Sequence, residues 1–289
     1  MKAIKGIIIT LIVIVALAGV TVIGGYVYVR SSFGIDLFKT VGQLKTLSQK
    51  VDESKLCPNA FSEGDMADMK DVFDQKASGL IVYEEGKGYN GYSVNLSASS
   101  LSPFTGNIGL SPKQTGALCQ TIFYGQTGGK VILGGMELSA SIVQTDFLNI
   151  DEDGSADFNV VVKAALKPIK DEMTGFPFGL LKKYMPDELY VSSTVRVDKT
   201  NNEMDYEISG LGLKVNNLSV EDTEDLFHTL DAAFKTGGAE DLNVLIGVTA
   251  VNGLIGNDEN VGLVYSMKAL GKKAFGFAEI SGFKCLMVY

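Results

Sequence analysis

The sequence predicts an α+β protein in which an N-terminal transmembrane helix precedes a curved antiparallel sheet wrapped on helices. Three observations predict it: an uncharged apolar run near the start, later segments that alternate apolar and polar side chains, and capped segments with helical spacing around them. We expect four regions: a cytoplasmic tail (1–5), a transmembrane anchor (6–29), a helical stalk (30–79) and an extracytoplasmic domain (80–289).

The composition excludes several classes of function. The chain has 289 residues, of which 46% are hydrophobic and 20% charged, so it is expected to fold. Its formal net charge of -9 argues against nucleic-acid binding, which requires clustered basic side chains. Because the chain has a single His, a metal site built from several His ligands is excluded.

The anchor is predicted from the uncharged run Gly6 to Val29. A helix of that length spans roughly 36 Å, which is enough to cross a hydrocarbon core of about 30 Å. Lys2 and Lys5 precede the run and only Arg30 follows it directly, so the positive-inside bias places the N-terminus in the cytoplasm and the rest of the chain outside the cell membrane. The lipid bilayer is therefore the first expected partner, through residues 6–29.

A cleaved signal peptide is the alternative for this segment. Residues 16–18 read Ala-Leu-Ala, which resembles a small-residue cleavage site. The apolar run nevertheless continues well beyond that point, and a secretory signal has a shorter apolar stretch of about 7 to 15 residues. The anchor is the interpretation we carry forward.

Two helices are expected in the stalk. Leu37, Val41 and Leu44 recur at helical spacing and predict a helix over about 35–52. Met66 and Phe73 belong to a second apolar stripe, which predicts a short helix before residue 78. We interpret these side chains as packing residues.

A glycine-rich turn at residues 86–91 matches G-x-G-x-x-G literally. The dinucleotide fingerprint requires a helix directly after the turn, where helix N–H groups meet the pyrophosphate. Here the pattern around the turn, Leu80 to Glu84 and Tyr92 to Ser97, is that of two strands. We therefore predict a β-hairpin.

A capping box with proline at the first helical position, Ser111-Pro112-Lys113-Gln114, predicts a helix over about 112–124. Long strands follow around 136–142, 158–166 and 189–197, each with one apolar face, and a fourth is suggested between 206 and 215. Such one-sided alternation predicts a curved sheet around an apolar interior.

The remainder is expected to be mainly helical. One helix opens after Ser219 and ends before Gly237, and a second covers about 240–255. A terminal hairpin is predicted around Ser281-Gly282, with Phe283, Cys285 and Met287 on one face.

One loop resembles a calcium site because oxygen ligands alternate along it. The candidate ligands are Asn149, Asp151, Asp153 and Asp157, with glycine at the sixth position. The twelfth position is Val160, where the bidentate Glu belongs. Because Asp-Gly also forms hairpin turns without metal, we interpret the loop as a turn and keep calcium as the weaker alternative.

Other chemical motifs are weak. His228 has Glu224 and Asp231 at helical spacing, which is the usual geometry of a solvated helix face. Lys235-Thr236-Gly237 resembles a penicillin-binding motif, but the only S-x-x-K follows it, in the wrong order. Any two of Cys57, Cys119 and Cys285 could form one disulfide, and burial as free thiols is the alternative.

A paired-proline connection gives the chain a family resemblance. The run Gly175-Phe176-Pro177-Phe178-Gly179 leads to Met185-Pro186-Asp187 and the next strand. Through this paired-proline connection, residues 80–218 resemble the YpmS-like extracytoplasmic proteins of Gram-positive bacteria and, through them, the tubular lipid-binding (TULIP-like) domains. The resemblance implies a single-pass anchor and a curved sheet wrapped on a long helix around an apolar groove. Leu189 stands where members often carry Trp.

We therefore expect an anchored protein that binds a lipid or other hydrophobic ligand without catalysis and without a cofactor. The alternative is a structural or protein-interaction module of the cell envelope with a packed core. The residues expected to line the apolar groove are Leu138, Ile142, Val160, Val162, Leu166, Phe176, Phe178, Val195 and Val197.

Overall fold

The structure is a computed structural model that describes residues 37–76, 79–95, 105–133, 136–172, 182, 185–200, 204–234, 239–257 and 262–289. The predicted anchor (6–29) and the predicted lining residues Phe176 and Phe178 lie outside the described residues. Among the described residues, no helix has both the length and the apolar composition that crossing a bilayer requires.

The predicted α+β class is confirmed. The helices are α1 (Leu37–Ser48), α2 (Glu53–Leu56), α3 (Glu63–Lys76), α4 (Pro112–Thr127), α5 (Lys167–Glu172), α6 (Val220–Phe234), α7 (Ala239–Leu254) and α8 (Leu263–Ser266), which a short 3-10 helix follows (Met267–Leu270). The strands are β1 (Ile81–Tyr83), β2 (Tyr92–Val94), β3 (Ile108–Leu110), β4 (Lys130–Leu133), β5 (Met136–Leu148), β6 (Ala156–Ala165), β7 (Glu188–Lys199), β8 (Tyr206–Val215), β9 (Phe275–Ile280) and β10 (Phe283–Val288).

The centre of the fold is a five-stranded antiparallel sheet in the order β4-β5-β6-β7-β8, curled into a half-barrel. Its inner face carries the predicted apolar alternation: Phe158 and Val160 of β6 and Val195 and Val197 of β7 are completely buried. Neighbouring strands pair in sequence order, so short turns suffice to connect most of them.

Two β-bulges curl this sheet. The register between β5 and β6 shifts between Ile142 and Gln144, and the register between β7 and β8 shifts opposite Val195. A bulge inserts an unpaired residue and bends the strand. At the first bulge the Ile142 N–H donates to the buried Gln120 side chain of α4 at 2.6 Å, so a helix residue satisfies the backbone group.

Helix α4 packs against the inner face of β5. Its capping box is present: Ser111 Oγ accepts from the Gln114 N–H at 3.2 Å, and Gln114 Oε1 accepts from the Ser111 N–H at 2.9 Å. The Thr145 hydroxyl of β5 donates to the Pro112 carbonyl at 2.7 Å. The predicted helix start is therefore also a point of attachment to the sheet.

Helix α7 covers the other side of the inner face. Asn243 is 2% exposed; it accepts a hydrogen bond from Ser193 of β7 at 2.7 Å and donates to the Thr194 carbonyl at 3.0 Å. One turn later Gly247 faces Val195 so closely that a Cβ there would lie 2.1 Å from Val195 Cγ1. A glycine is needed for this approach of helix and sheet.

The C-terminal strands join the core through aromatic rings. Phe147 and Phe277 have ring centroids 4.9 Å apart, and Phe147 is 6.0 Å from Phe158. The predicted turn at Ser281-Gly282 is confirmed, with positive φ at both residues. Leu286 and Val288 form the buried face of β10, while Phe283 is 74% exposed, so the face that the sequence analysis singled out is the outer one.

The helices of the expected stalk pack on the rest of the protein. Leu44 and Leu47 of α1 are 1% exposed and belong to an apolar cluster with Leu138 and Leu166 of the sheet region. The side chains of Met66, Met69 and Phe73 in α3 are buried in the main core. From Leu44 onward these helices are therefore part of the folded body.

We predict that Gly247→Ala lowers the free energy of unfolding by about 1–3 kcal/mol, because the added methyl group overpacks the α7–sheet contact. Urea unfolding followed by circular dichroism measures it. Gly253→Ala on the same helix is the control: its new Cβ would meet no atom nearer than 4.0 Å, and it is expected to stabilise by about 0.5 kcal/mol. Equal stabilities of the two variants would contradict the contact.

Candidate functional site

The described members of the predicted groove lining are packed against other side chains. Ile142, Val160, Val195 and Val197 belong to the main core cluster, and Leu138 and Leu166 belong to the second cluster, where they are 0% and 1% exposed. Val162 is partly buried against the main core cluster. The inner face is thus largely occupied by the protein's own side chains.

Five apolar side chains around the two clusters, here called the strip, remain partly exposed. It contains side chains of α4, β4, β6 and β7 that pack on the clusters without being fully buried: Ile122, Phe123, Val131, Val162 and Leu189. These are the described apolar side chains from which a ligand groove on this face could be built.

Residues 51–61, here called the strap, cover the part of the outer face around Val161 and Tyr190. The Asn59 backbone N–H donates to Gln144 Oε1 at 2.9 Å, and the Asn59 side chain donates to Asp146 at 3.1 Å. Beneath the strap Val161 and Tyr190 are almost completely buried. The sequence did not reveal this cover, because the strap mixes polar and apolar residues without the period of a long helix or strand.

A charged network holds the start of the strap. Lys163 of β6 lies 2.8 Å from Glu53 of the strap and 3.0 Å from Glu188 of β7. The Tyr190 hydroxyl donates to Glu53 and, at 3.3 Å, to Glu188. Two strands and the strap therefore share one cation.

The network borders a cavity of about 180 Å³ under the strap. Cys57 and Ile142 contribute to its wall, together with Phe61, Tyr89, Val143, Lys163 and Tyr190. Ile142 is the single described residue of the predicted lining among them. The cavity thus has walls from both the main core cluster, through Ile142, and the cluster beneath the strap, through Cys57 and Tyr190.

Burial and the charged network shift the pKa values of three groups in the wall of this cavity. Burial raises the pKa of the Cys57 thiol to about 11, so it is protonated and weakly nucleophilic near neutral pH. Burial opposes the charge on Lys163, but hydrogen bonds to Glu53, Tyr190 and Glu188 outweigh it and raise its pKa. Burial and the bond to Glu53 raise the pKa of Tyr190, which remains neutral.

The calcium candidates lie in and beside the turn between β5 and β6, where three of the four contact the guanidinium of Arg196. Arg196 forms ion pairs with Asp151 and, at 3.2 Å, with Asp157, and it donates to the Asn149 carbonyl at 3.0 Å. Asp153 accepts instead from the Ser155 N–H at 2.8 Å, as hairpin turns require. Within the described residues no group of three or more His, Cys, Asp or Glu side chains is arranged to hold a metal ion.

The remaining candidate residues are separate from one another. His228 is exposed on α6, and Lys235 to Gly237 lie outside the described residues. Cys57, Cys119 and Cys285 are free thiols, of which the first two are buried. The open question of a disulfide among them is resolved in favour of free cysteines.

A second cavity, of about 380 Å³, opens at the predicted glycine-rich hairpin. Tyr83, Tyr89 and Tyr124 line it, together with Glu85 and Lys87 of the turn. The β-hairpin predicted for this turn is present, with β1 and β2 paired antiparallel, but the sequence did not indicate the cavity beside it. The sequence signal for the cavity is Tyr83, which precedes the turn, and Tyr89, which lies within it.

Comparison with protein-family models, with curated proteins and with solved structures returned no match.

We predict that Lys163→Met increases the rate at which a thiol reagent labels Cys57, because loss of the ion pairs frees the strap. Loss of the ammonium by itself would raise the pKa of Cys57 and slow the reaction, so acceleration reports opening of the strap. Mass spectrometry of labelled peptides at several times measures it, with Cys285 as internal reference.

Lys170→Met is the matched control for this measurement, because it removes an ion pair of similar length, with Asp187, away from the strap. It should leave the labelling of Cys57 unchanged. Slower or unchanged labelling in Lys163→Met would show that the ion pairs do not hold the strap.

Proposed function

We propose that this protein is a membrane-tethered, non-catalytic structural or protein-interaction module of the cell envelope, built on a packed core. The observation that carries the proposal is the filling of the inner face. The described residues that a groove would need are instead packed into two clusters, and Gly247 brings α7 into direct contact with Val195. A packed interior leaves the surface as the place of function.

The tether and its orientation rest on the sequence. The uncharged run at 6–29 supports a single-pass anchor, and the basic residues before it support an extracytoplasmic location for the rest of the chain. Removing the three basic residues next to the anchor leaves 22 basic and 34 acidic residues. Such an acidic domain is repelled by anionic lipid head groups, which favours a protein partner over the bilayer surface.

Binding of a lipid or other hydrophobic ligand is the second candidate. The partly exposed strip supports it, because Ile122 and Val162 pack against the main core cluster and Leu189 packs against the second cluster without being fully buried. The curled sheet packed on α4 is also compatible with the TULIP-like architecture that the resemblance implies. A ligand in this place would extend along the strip.

We predict that Val160→Phe lowers the free energy of unfolding by about 1–3 kcal/mol, because Val160 is fully buried and the larger ring overpacks the core. Leu211→Phe on β8 is the control, since Leu211 is 51% exposed and has room for the ring. Chemical denaturation of both variants measures the difference. A stable Val160→Phe variant would favour an open groove.

Native mass spectrometry of the wild-type chain, purified from its own membrane, accompanies this test. The expected mass is that of the polypeptide alone. A stoichiometric lipid that Val160→Phe displaces would overturn the packed-core proposal and establish the second candidate.

We predict that the full-length chain sediments with membranes, resists extraction at alkaline pH and is cleaved by protease added outside the cell. A variant without residues 6–29 is the control and should remain soluble in the cytoplasm. Cell fractionation and blotting measure both. A shortened soluble protein in the medium would identify the apolar run as a cleaved signal peptide.

A further inference from the structure

The second cavity, at the glycine-rich hairpin, is here called the tyrosine cleft and is open to solvent. Three tyrosine rings line it: Tyr83 at the end of β1, Tyr89 in the turn and Tyr124 near the end of α4. Its volume of about 380 Å³ falls within the range of roughly 300–1,000 Å³ that is typical of ligand pockets.

We propose that the tyrosine cleft binds an organic cation of the quaternary ammonium class, of which choline is the simplest example. The proposal goes beyond the function proposed above and does not depend on it. Aromatic rings attract weakly hydrated cations through the negative potential of their faces, and several rings around one pocket favour methylated ammonium groups.

The rings are held in place by their neighbours. Tyr83 packs edge-on against Tyr92 with ring centroids 5.0 Å apart, and Tyr89 lies 5.7 Å from Tyr124. Both contacts place ring against ring within the range of favourable aromatic pairs. The walls of the cleft are therefore formed before any ligand arrives, which reduces the entropy lost on binding.

Two glycines allow the backbone to approach these rings. A Cβ at Gly91 would lie 2.5 Å from Tyr83 Cε2, and a Cβ at Gly129 would lie 2.9 Å from Tyr124 Cδ2. Both glycines also have positive φ, at 90° and 72°. The tight fit explains why glycine occupies these positions beside the cleft, independently of any ligand contact.

The charges around the cleft favour a cation. Glu85 lines it, and Lys87, the one lysine among the described lining residues, forms a salt bridge with Glu84 at 2.7 Å. The chain as a whole carries a net charge of -9. A single lining carboxylate is too few for a calcium ion, which takes six to eight oxygen ligands, whereas a methylated ammonium needs aromatic contact more than oxygen ligands.

Two sources could supply this group: free choline and the head group of a choline lipid. We would titrate the full chain, in a neutral polyoxyethylene detergent, with choline chloride and separately with glycerophosphocholine. Calorimetry measures the affinity, and tyrosine emission provides a second signal because the chain has no Trp. Tighter binding of glycerophosphocholine would indicate the lipid source, and tighter binding of choline the free cation.

The neutral isostere 3,3-dimethyl-1-butanol separates charge from shape, since it has the form of choline without its positive charge. Saturable binding of choline with weaker binding of the isostere is the expected result. Equal binding of both compounds, or heat no larger than that from sodium chloride at the same ionic strength, would overturn the proposal.

Variants locate the site. Tyr83→Leu and Tyr124→Leu should each weaken choline binding about threefold, as loss of one ring predicts, while Tyr83→Phe and Tyr124→Phe should retain it. Glu85→Lys should abolish binding, and Glu152→Lys, which makes the same charge change at an exposed turn outside the cleft, should not. Thermal unfolding confirms that each variant is folded. Wild-type affinity in both leucine variants would exclude the cleft.

Discussion

Strands β5, β6 and β7 place a long apolar face on one side of the sheet, and that face has to be removed from water. Helix α4, helix α7 and the ring of Phe277 cover it. The contact is close enough that Gly247 cannot gain a Cβ without displacing Val195. Because hydrophobic burial supplies most of the free energy of folding, the positions of the other elements follow from this contact.

The two faces of the sheet have different chemistry as a result. The inner face is largely filled by apolar side chains, and Ser193 and Asn243, two of its buried polar residues, bond to each other. Part of the outer face is covered by the strap, which Lys163 and its acidic partners hold. The two cavities described above have mixed walls, in which charged side chains such as Lys163 and Lys87 stand beside tyrosine rings.

Much of the fold could be predicted because each long element carries its own periodic signal. Local sequence patterns predicted three features that the structure contains: the one-sided strands from 136 to 197, the capped helix at Ser111 and the hairpin at Ser281-Gly282. The bulge at Ile142 was not, since Gln120 satisfies its free N–H from another part of the chain. The strap was missed for the same reason: its partners lie more than 80 residues away.

The candidate sites also depend partly on local sequence and partly on long-range contacts. The sequence by itself determined which residues are apolar on one face, that the loop at Asp151 and Asp153 is a turn, and where an anchor is expected. Only the tertiary structure decided that the apolar residues pack against one another, that Arg196 occupies the acidic turn, and that three tyrosines meet at one cleft. Hydrophobic periodicity indicates which face of a helix or strand is buried. The partner of each side chain depends instead on contacts between distant segments.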